Sequence, residues 1–182
     1  RDWSSDVCSS DLRVNYTQVR ALKRAVLRRA FEHFRNTEWA TGSTRATALR
    51  QYVGEQGWWL DEYALFRALH ARYEEQAWEH WPAELASRQP DALTQARTEL
   101  EADVLYRQYL QWLADLQWAR ARKESRGIAL FGDLPFMVGR DSADVWARQD
   151  EFRFDASVGV PPDAFSETGQ DWGLPVYRWD VL

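Results

Sequence analysis

The sequence predicts an α/β protein that is itself mostly α-helical, and three observations carry that expectation. Apolar residues recur at helical spacing from Asn15 to about Arg126. A glycine then precedes a short unbroken apolar run, Ile128-Ala129-Leu130-Phe131, the pattern of a strand buried on both faces in a parallel sheet. Asp133 comes at once after it, completing the helix–glycine–strand–acid order of an αβ unit.

Each element has a local justification. Residues 1–12, RDWSSDVCSSDL, share no periodicity with the rest of the chain. They read as a translated sequencing adapter and are set aside from fold reasoning, so the chain is expected to begin inside a longer gene. Between Asn15 and Asn36 the apolar positions Val19, Leu22, Val26, Leu27, Phe31 and Phe34 form one helical face, and Asn15 with Gln18 has capping-box spacing. Gly42-Ser43-Thr44 punctuates, a second helix is expected from Thr44 to Gln56, and Gly57 is expected to separate it from a third. That third helix places Trp59, Tyr63, Phe66, Leu69, His70 and Tyr73 on one face.

Pro82 and the 87–91 stretch interrupt the pattern, after which one long helix is expected from Asp91 to about Arg126. Its two apolar stripes (Leu105, Tyr109, Trp112 and Leu116; Tyr106, Leu110 and Leu113) predict cover on more than one side. Arg120, Arg122, Lys123 and Arg126 suit the negative end of its dipole, and Gly127 stands where a left-handed cap belongs. Beyond Asp133 the expectation is a short helix capped by Asp141 or Ser142 and running through Trp146. From Phe154 to the end a long structured loop is expected, and loops of that length are usually functional. The predicted organisation is a helical subdomain over 13–126, then a strand with cleft loops over 127–182.

Composition narrows the function classes. With 45% hydrophobic and 28% charged residues the balance is that of a globular chain. The formal charge of −5 comes without a basic stripe, which argues against nucleic acid or an anionic membrane as partner. No run approaches the roughly 18 apolar residues of a membrane span, and no signal peptide is visible. Cys8, the one cysteine, falls in the excluded segment, so no disulfide, thiolate or Cys-metal chemistry is expected. His33, His70 and His80 show no ligand spacing and read as structural or surface residues, with no metal site implied. There is no glycine-rich phosphate loop, and no cofactor is expected.

Two places are candidates for chemistry. Asp133 closes the predicted strand, where α/β folds put their sites, although a strand-end Asp also caps turns. The second is GVPPDAFSETGQDWGLP, residues 159–175. Its prolines fix φ and its Gly169 and Gly173 permit tight reversals. Asp163, Phe165, Ser166, Gln170 and Trp172 lie in this segment. Carboxylate and amide groups bind sugar hydroxyls while rings pack on the C–H faces of a pyranose. A structural loop whose aromatics anchor it to the body is the alternative. Most tryptophans sit at helical core spacing, and packing is the expected role of Trp59 and Trp112.

The stretches GDLPFMVGRDSADVWA (132–147) and VGVPPDAFSETGQDWGLPVYRWD (158–180) closely resemble the 4-α-glucanotransferases called amylomaltases or disproportionating enzymes. LDEYALFRAL (60–69) and the long helix before GIALFGDLP resemble them more loosely. The resemblance implies a (β/α)8 barrel with a large helical insertion, of which this chain would be an internal piece. It also implies a cytoplasmic enzyme that moves α-1,4-glucan segments between maltooligosaccharides or starch chains by a retaining, two-carboxylate mechanism. Transfer outcompetes hydrolysis where the acceptor site binds sugar and limits water.

On the matching positions, the resemblance places Asp133 near the innermost donor subsite. It makes Asp163, Gln170 and Trp172 substrate contacts in a loop beside the cleft, and Phe165 an aromatic position of that loop. Ala164 stands where many members have tyrosine and Leu174 where asparagine is common, which bears on chain-length preference. The family's nucleophilic Asp, in an R-I-D-H-type strand, and its acid/base Glu are expected beyond Leu182. No catalytic residue is therefore assigned here, and the segment alone is expected to be inactive. The competing readings are a related α-glucan hydrolase and a non-catalytic helical sugar-binding or interaction module.

Overall fold

A computed structural model of the chain describes residues 13–125 and 127–182; the segment read as adapter sequence lies outside them. The chain forms two compact units, the first ending at Arg50 and the second spanning Gln51–Leu182. It is mostly helical, with one two-stranded antiparallel sheet. No helix among the described residues is long and apolar enough to cross a membrane.

Helix α1, Tyr16–Phe34, begins as its sequence predicts: Asn15 Oδ1 accepts the Gln18 amide at 3.1 Å. It runs into a single π-helical stretch, Arg35–Trp39. Phe31 and Phe34 are buried, and Arg50 stacks 4.2 Å over Trp39.

Helix α2, Thr44–Arg72, corrects the expected break at Gly57, because it passes through both Gly54 and Gly57 without interruption. A helical glycine costs about 1 kcal/mol, and the burial of Leu60, Ala64, Leu65, Phe66 and Leu69 further along outweighs it. The Ser43 hydroxyl caps its start by accepting the Ala46 amide at 3.2 Å. A 3₁₀ turn at Trp78–His80 and the short helix α3, Ala83–Ala86, come next.

The expected helix over 91–126 is two helices. α4 is Pro90–Glu99, with proline in its first turn, and α5 is Glu101–Glu124. Leu100, at φ −106° and ψ 17°, breaks the ladder between them. Gly127 beyond α5 has φ +85°, the left-handed conformation expected there. Tyr106, Tyr109 and Trp112 are buried, whereas Leu116 and Trp118 are exposed, so cover on more than one side does not extend through the last turns.

The core of the second unit is aromatic. Phe66, Trp81 and Trp146 form a triangle with ring centroids 5.5–5.8 Å apart, packed with Leu65, Leu69 and Leu85. Three buried indole N–H groups of this core have carbonyl partners: Trp146 donates to Leu85 at 3.0 Å, Trp81 to Gln76 at 3.0 Å and Trp78 to Arg140 at 2.8 Å. Helix α6, Ala143–Ala147, brings Val145 and Trp146 into this core, and its N-cap is Ser142, which accepts from the Val145 amide at 3.3 Å.

Two further corrections concern the last third. Residues 128–131 form no strand, and Ile128, Leu130 and Phe131 are exposed. A strand buried on both faces needs neighbours on each edge, and the sheet among the described residues offers none to this run. The stretch expected as loop after Phe154 is instead largely a hairpin: β1, Phe152–Val160, pairs antiparallel with β2, Gln170–Tyr177.

Candidate functional site

The hairpin carries four of the five candidate residues. Its register runs from Phe152 opposite Tyr177 to Val160 opposite Gln170, with irregularities between Arg153 and Ser157 and between Val158 and Gly159. Pro175, which cannot donate to a ladder, sits opposite Ser157 directly beside the first irregularity. At the tip the two backbones come unusually close. A Cβ on Gly159 would lie 2.2 Å from the Gln170 carbonyl oxygen, and one on Gly169, at φ +74°, 2.5 Å from that of Val160. Only glycine fits either position.

The connecting loop, residues 161–169, is held by its own polar groups. Asp163 Oδ1 accepts the Phe165 and Ser166 amides, both at 2.8 Å, and the Asp163 amide donates to the Ser166 carbonyl at 2.9 Å. The Ser166 hydroxyl donates to the Gly169 carbonyl at 2.7 Å. Asp163 is therefore a turn-forming residue with one carboxylate oxygen still free of these contacts. Phe165, on this loop, is 95% exposed.

Gln170 and Trp172 share a face of β2, as residues two apart in a strand must, and the indole Nε1–H donates to Gln170 Oε1 at 3.1 Å. The Trp172 ring is oriented by that bond yet remains 46% exposed. On the neighbouring position the Ser157 hydroxyl donates to Asp171 Oδ1, which also accepts the Gly173 amide at 2.8 Å. The Ser157 bond, then the Gly173 amide, hold the Asp171 carboxyl below the usual range. No sequence signal marks this pair, since nothing in the linear pattern shows that Ser157 and Asp171 meet across the sheet.

Asp133 stands apart. It lies in the exposed extended segment after Gly127 and makes no hydrogen bond or ion pair among the described residues. The structure links its segment to the hairpin three residues on, where the Tyr177 hydroxyl donates to the Phe136 carbonyl at 3.0 Å.

What fixes these two segments to the helices is a pair of residues that sequence reasoning misses or misassigns. Arg140 binds both carboxylate oxygens of Glu79, at 2.7–3.1 Å, and its guanidinium lies 5.0 Å over the Phe154 ring of β1. The Glu79 bond, offset partly by burial, raises its proton affinity. Asp141, expected as a possible helix cap, turns back to α2 instead. Its Oδ2 meets His70 Nε2 at 2.9 Å and its Oδ1 accepts the Trp78 amide at 3.2 Å.

His70 is only 7% exposed, and its Nδ1 lies 2.9 Å from Glu75 Oε2 and 3.3 Å from Arg67 Nη1. Glu74 and Glu75 both adopt positive φ, 56° and 60°, which turns the chain at the end of α2 so that Glu75 faces back to His70. Partial burial pushes the Glu75 carboxyl up, but the His70 bond and the charges of Arg67 and His70 outweigh it and leave it below its ordinary value. The separation of 71 positions between His70 and Asp141 hides this contact from any local pattern.

The hairpin end thus presents two exposed rings beside a carboxylate and a primary amide, the groups that hold a sugar ring by stacking and hydroxyl hydrogen bonds. Phe165 makes almost no contact with the body, whereas Trp172 is about half covered. Among the described residues no group of three or more His, Cys, Asp or Glu side chains could hold a metal ion.

The chain matches the family model described as 4-alpha-glucanotransferase over residues 3–182. It is 41% identical over 178 residues to a 4-alpha-glucanotransferase of Thermus thermophilus, and 43% identical over 180 residues to one of Synechocystis. Each alignment covers 93% of this chain and 35% of the relative. Among solved structures it is similar to an amylomaltase from Streptococcus agalactiae in complex with acarbose. The TM-score is 0.81 at 31% identity, covering 92% of this chain and 34% of that one. The chain spans about a third of the length of these relatives.

Proposed function

The chain belongs to the 4-alpha-glucanotransferase family, and from that premise we propose that it supplies glucan-binding residues to an enzyme that transfers α-1,4-glucan segments between maltooligosaccharides or starch chains. The observation that carries this reading is the hairpin end, where Phe165 and Trp172 are exposed beside Asp163 and Gln170 instead of packed into the body. In this reading Trp172 and Phe165 stack on glucosyl faces, Gln170 and the free Asp163 oxygen bind hydroxyls, and Asp133 lies near the innermost donor subsite. No catalytic role is assigned to Asp133 or Asp163. The reaction is a retaining double displacement on a (β/α)8 barrel, in the cytoplasm, with residues 13–126 as the helical insertion and 127–182 as cleft segments, the run 128–131 becoming a barrel strand only where other strands flank it.

The test is product analysis on the protein that carries this chain. Given maltotriose, it is expected to release glucose and build longer oligomers at a constant number of reducing ends. A net rise in reducing ends means hydrolysis, and no product at all sinks the proposal. Trp172→Ala is expected to raise KM for maltotriose about tenfold, the loss of one stacking contact.

A further inference from the structure

The exposed surface holds a second aromatic recess, away from the hairpin. Trp58, Trp59, Glu62 and Tyr63 of α2 form one wall, and Asp144 and Arg148, at the two ends of α6, stand on the other. The recess has a volume of about 270 Å3, just below the roughly 300–1,000 Å3 of sites for drug-sized ligands, so it suits one sugar ring.

Its floor is rigid because each group is tied from outside the recess. Trp59 Nε1 donates to Gln56 at 2.9 Å, the Tyr63 hydroxyl accepts from Gln111 at 3.1 Å, and the two rings sit 5.9 Å apart. Glu62 is held by Arg97 at 2.9 Å and by Arg88 in a close ion pair, 2.8 Å, whose angle is poor for a hydrogen bond.

Three groups are left uncommitted. Trp58 is 75% exposed, a large flat ring with nothing over it. Asp144 and Arg148 are exposed, and their side chains make no hydrogen bond or ion pair among the described residues. An acceptor-only carboxylate and a donor-only guanidinium opposite a free indole match the needs of vicinal hydroxyls above a C–H face.

We propose that the recess lined by Trp58, Trp59, Tyr63, Asp144 and Arg148 is a glucosyl-binding site on the helical surface, separate from the hairpin end, that holds a unit of an α-1,4-glucan. This rests on the glucan reading above. Such a site keeps a long chain on the protein while its ends are exchanged, since a second contact makes rebinding intramolecular.

The experiment is a titration of the full isotope-labelled chain with maltotriose, monitored by amide and indole N–H resonances. The Trp58 and Trp59 indole signals and the Asp144 amide are expected to shift on one binding curve. Trp58→Ala and Arg148→Ala should each weaken that curve about tenfold, with Tm unchanged because both side chains are exposed. Trp172→Ala should leave it in place. If maltotriose moves only Gln170 and Trp172, this site is rejected and the glucan reading stands. If it moves only residues 58–63 and 143–148, the site stands and the hairpin assignment falls. If neither responds, or Trp58→Ala leaves the curve unaltered, the site is rejected.

Discussion

The aromatic residues of the second unit divide into two populations with opposite settings. Around Trp146 every ring is packed and every indole N–H reaches a carbonyl. From Ile128 through the hairpin, Phe131, Phe136, Phe165 and Trp172 point into open surface. Both regions are rich in the same residue types, so hydrophobicity alone does not tell them apart. The difference lies in what the backbone does. The first group hangs mostly from helices and the turns between them, joined by Phe152 at the base of the hairpin, while the second hangs from the segment after Gly127 and the hairpin end, whose shape comes from polar turn contacts and glycine. The first set of rings makes stability, and the second contributes little to it.

Single substitutions should separate the two. Trp146→Ala removes a fully buried ring and leaves the Leu85 carbonyl without its donor; we expect a loss of about 3–5 kcal/mol, read as loss or marked lowering of the cooperative thermal transition. Phe165→Ala, which also deletes a whole aromatic ring, should change stability by less than about 0.5 kcal/mol in the same assay. Equal effects from the two would abolish the distinction.

Asp141→Ala probes the junction between the regions. It strips His70 Nε2 and the Trp78 amide of their acceptor, at an expected cost of about 1–3 kcal/mol by denaturant titration. A variant that unfolds like the parent would mean that solvent replaces the carboxylate freely.

The smallest effect is electrostatic. Glu75 has a folded-state pKa below its ordinary 4.5, so its contribution is complete above that pH and is lost as pH falls through the lowered value. Its side chain is 46% exposed, and screening keeps the contribution small. Glu75→Gln should flatten the acid limb of Tm against pH below about 4.5 and leave the neutral limb parallel. An unaltered acid limb would mean that the His70 contact does not hold in solution.

Much of the helical body is legible in the sequence, and the reasons are local. Asn15, Ser142 and Gly127 act at helix ends through contacts within three or four residues, which is the range a sequence pattern covers. The break expected at Gly57 does not occur, because burial of Leu60 and Leu65 decides the matter and burial is a tertiary fact. The hairpin has the pattern of a loop for a related reason. Its strands are spaced by Gly159, Gly173 and Pro175 and carry irregular register, so they show no period-two alternation. The apolar run at 128–131 has the composition of a buried strand, but strand formation needs a partner edge that a linear pattern cannot supply. At the candidate site the residue types are readable, whereas the anchoring through Arg140, Asp141 and His70 joins positions more than sixty residues apart.

The self-contained loop at the hairpin tip has an evolutionary corollary. Its form depends on Asp163, Ser166 and Gly169, together with backbone amides that every residue type but proline provides. The intervening side chains at Ala164, Phe165, Glu167 and Thr168 carry none of that scaffolding. Those positions can drift, exchanging a bare methyl for a ring or a ring for a charge, and the scaffold beneath them stays as it is. A lineage could therefore change the surface that the tip presents by substitutions there alone, with no compensating change elsewhere in the molecule.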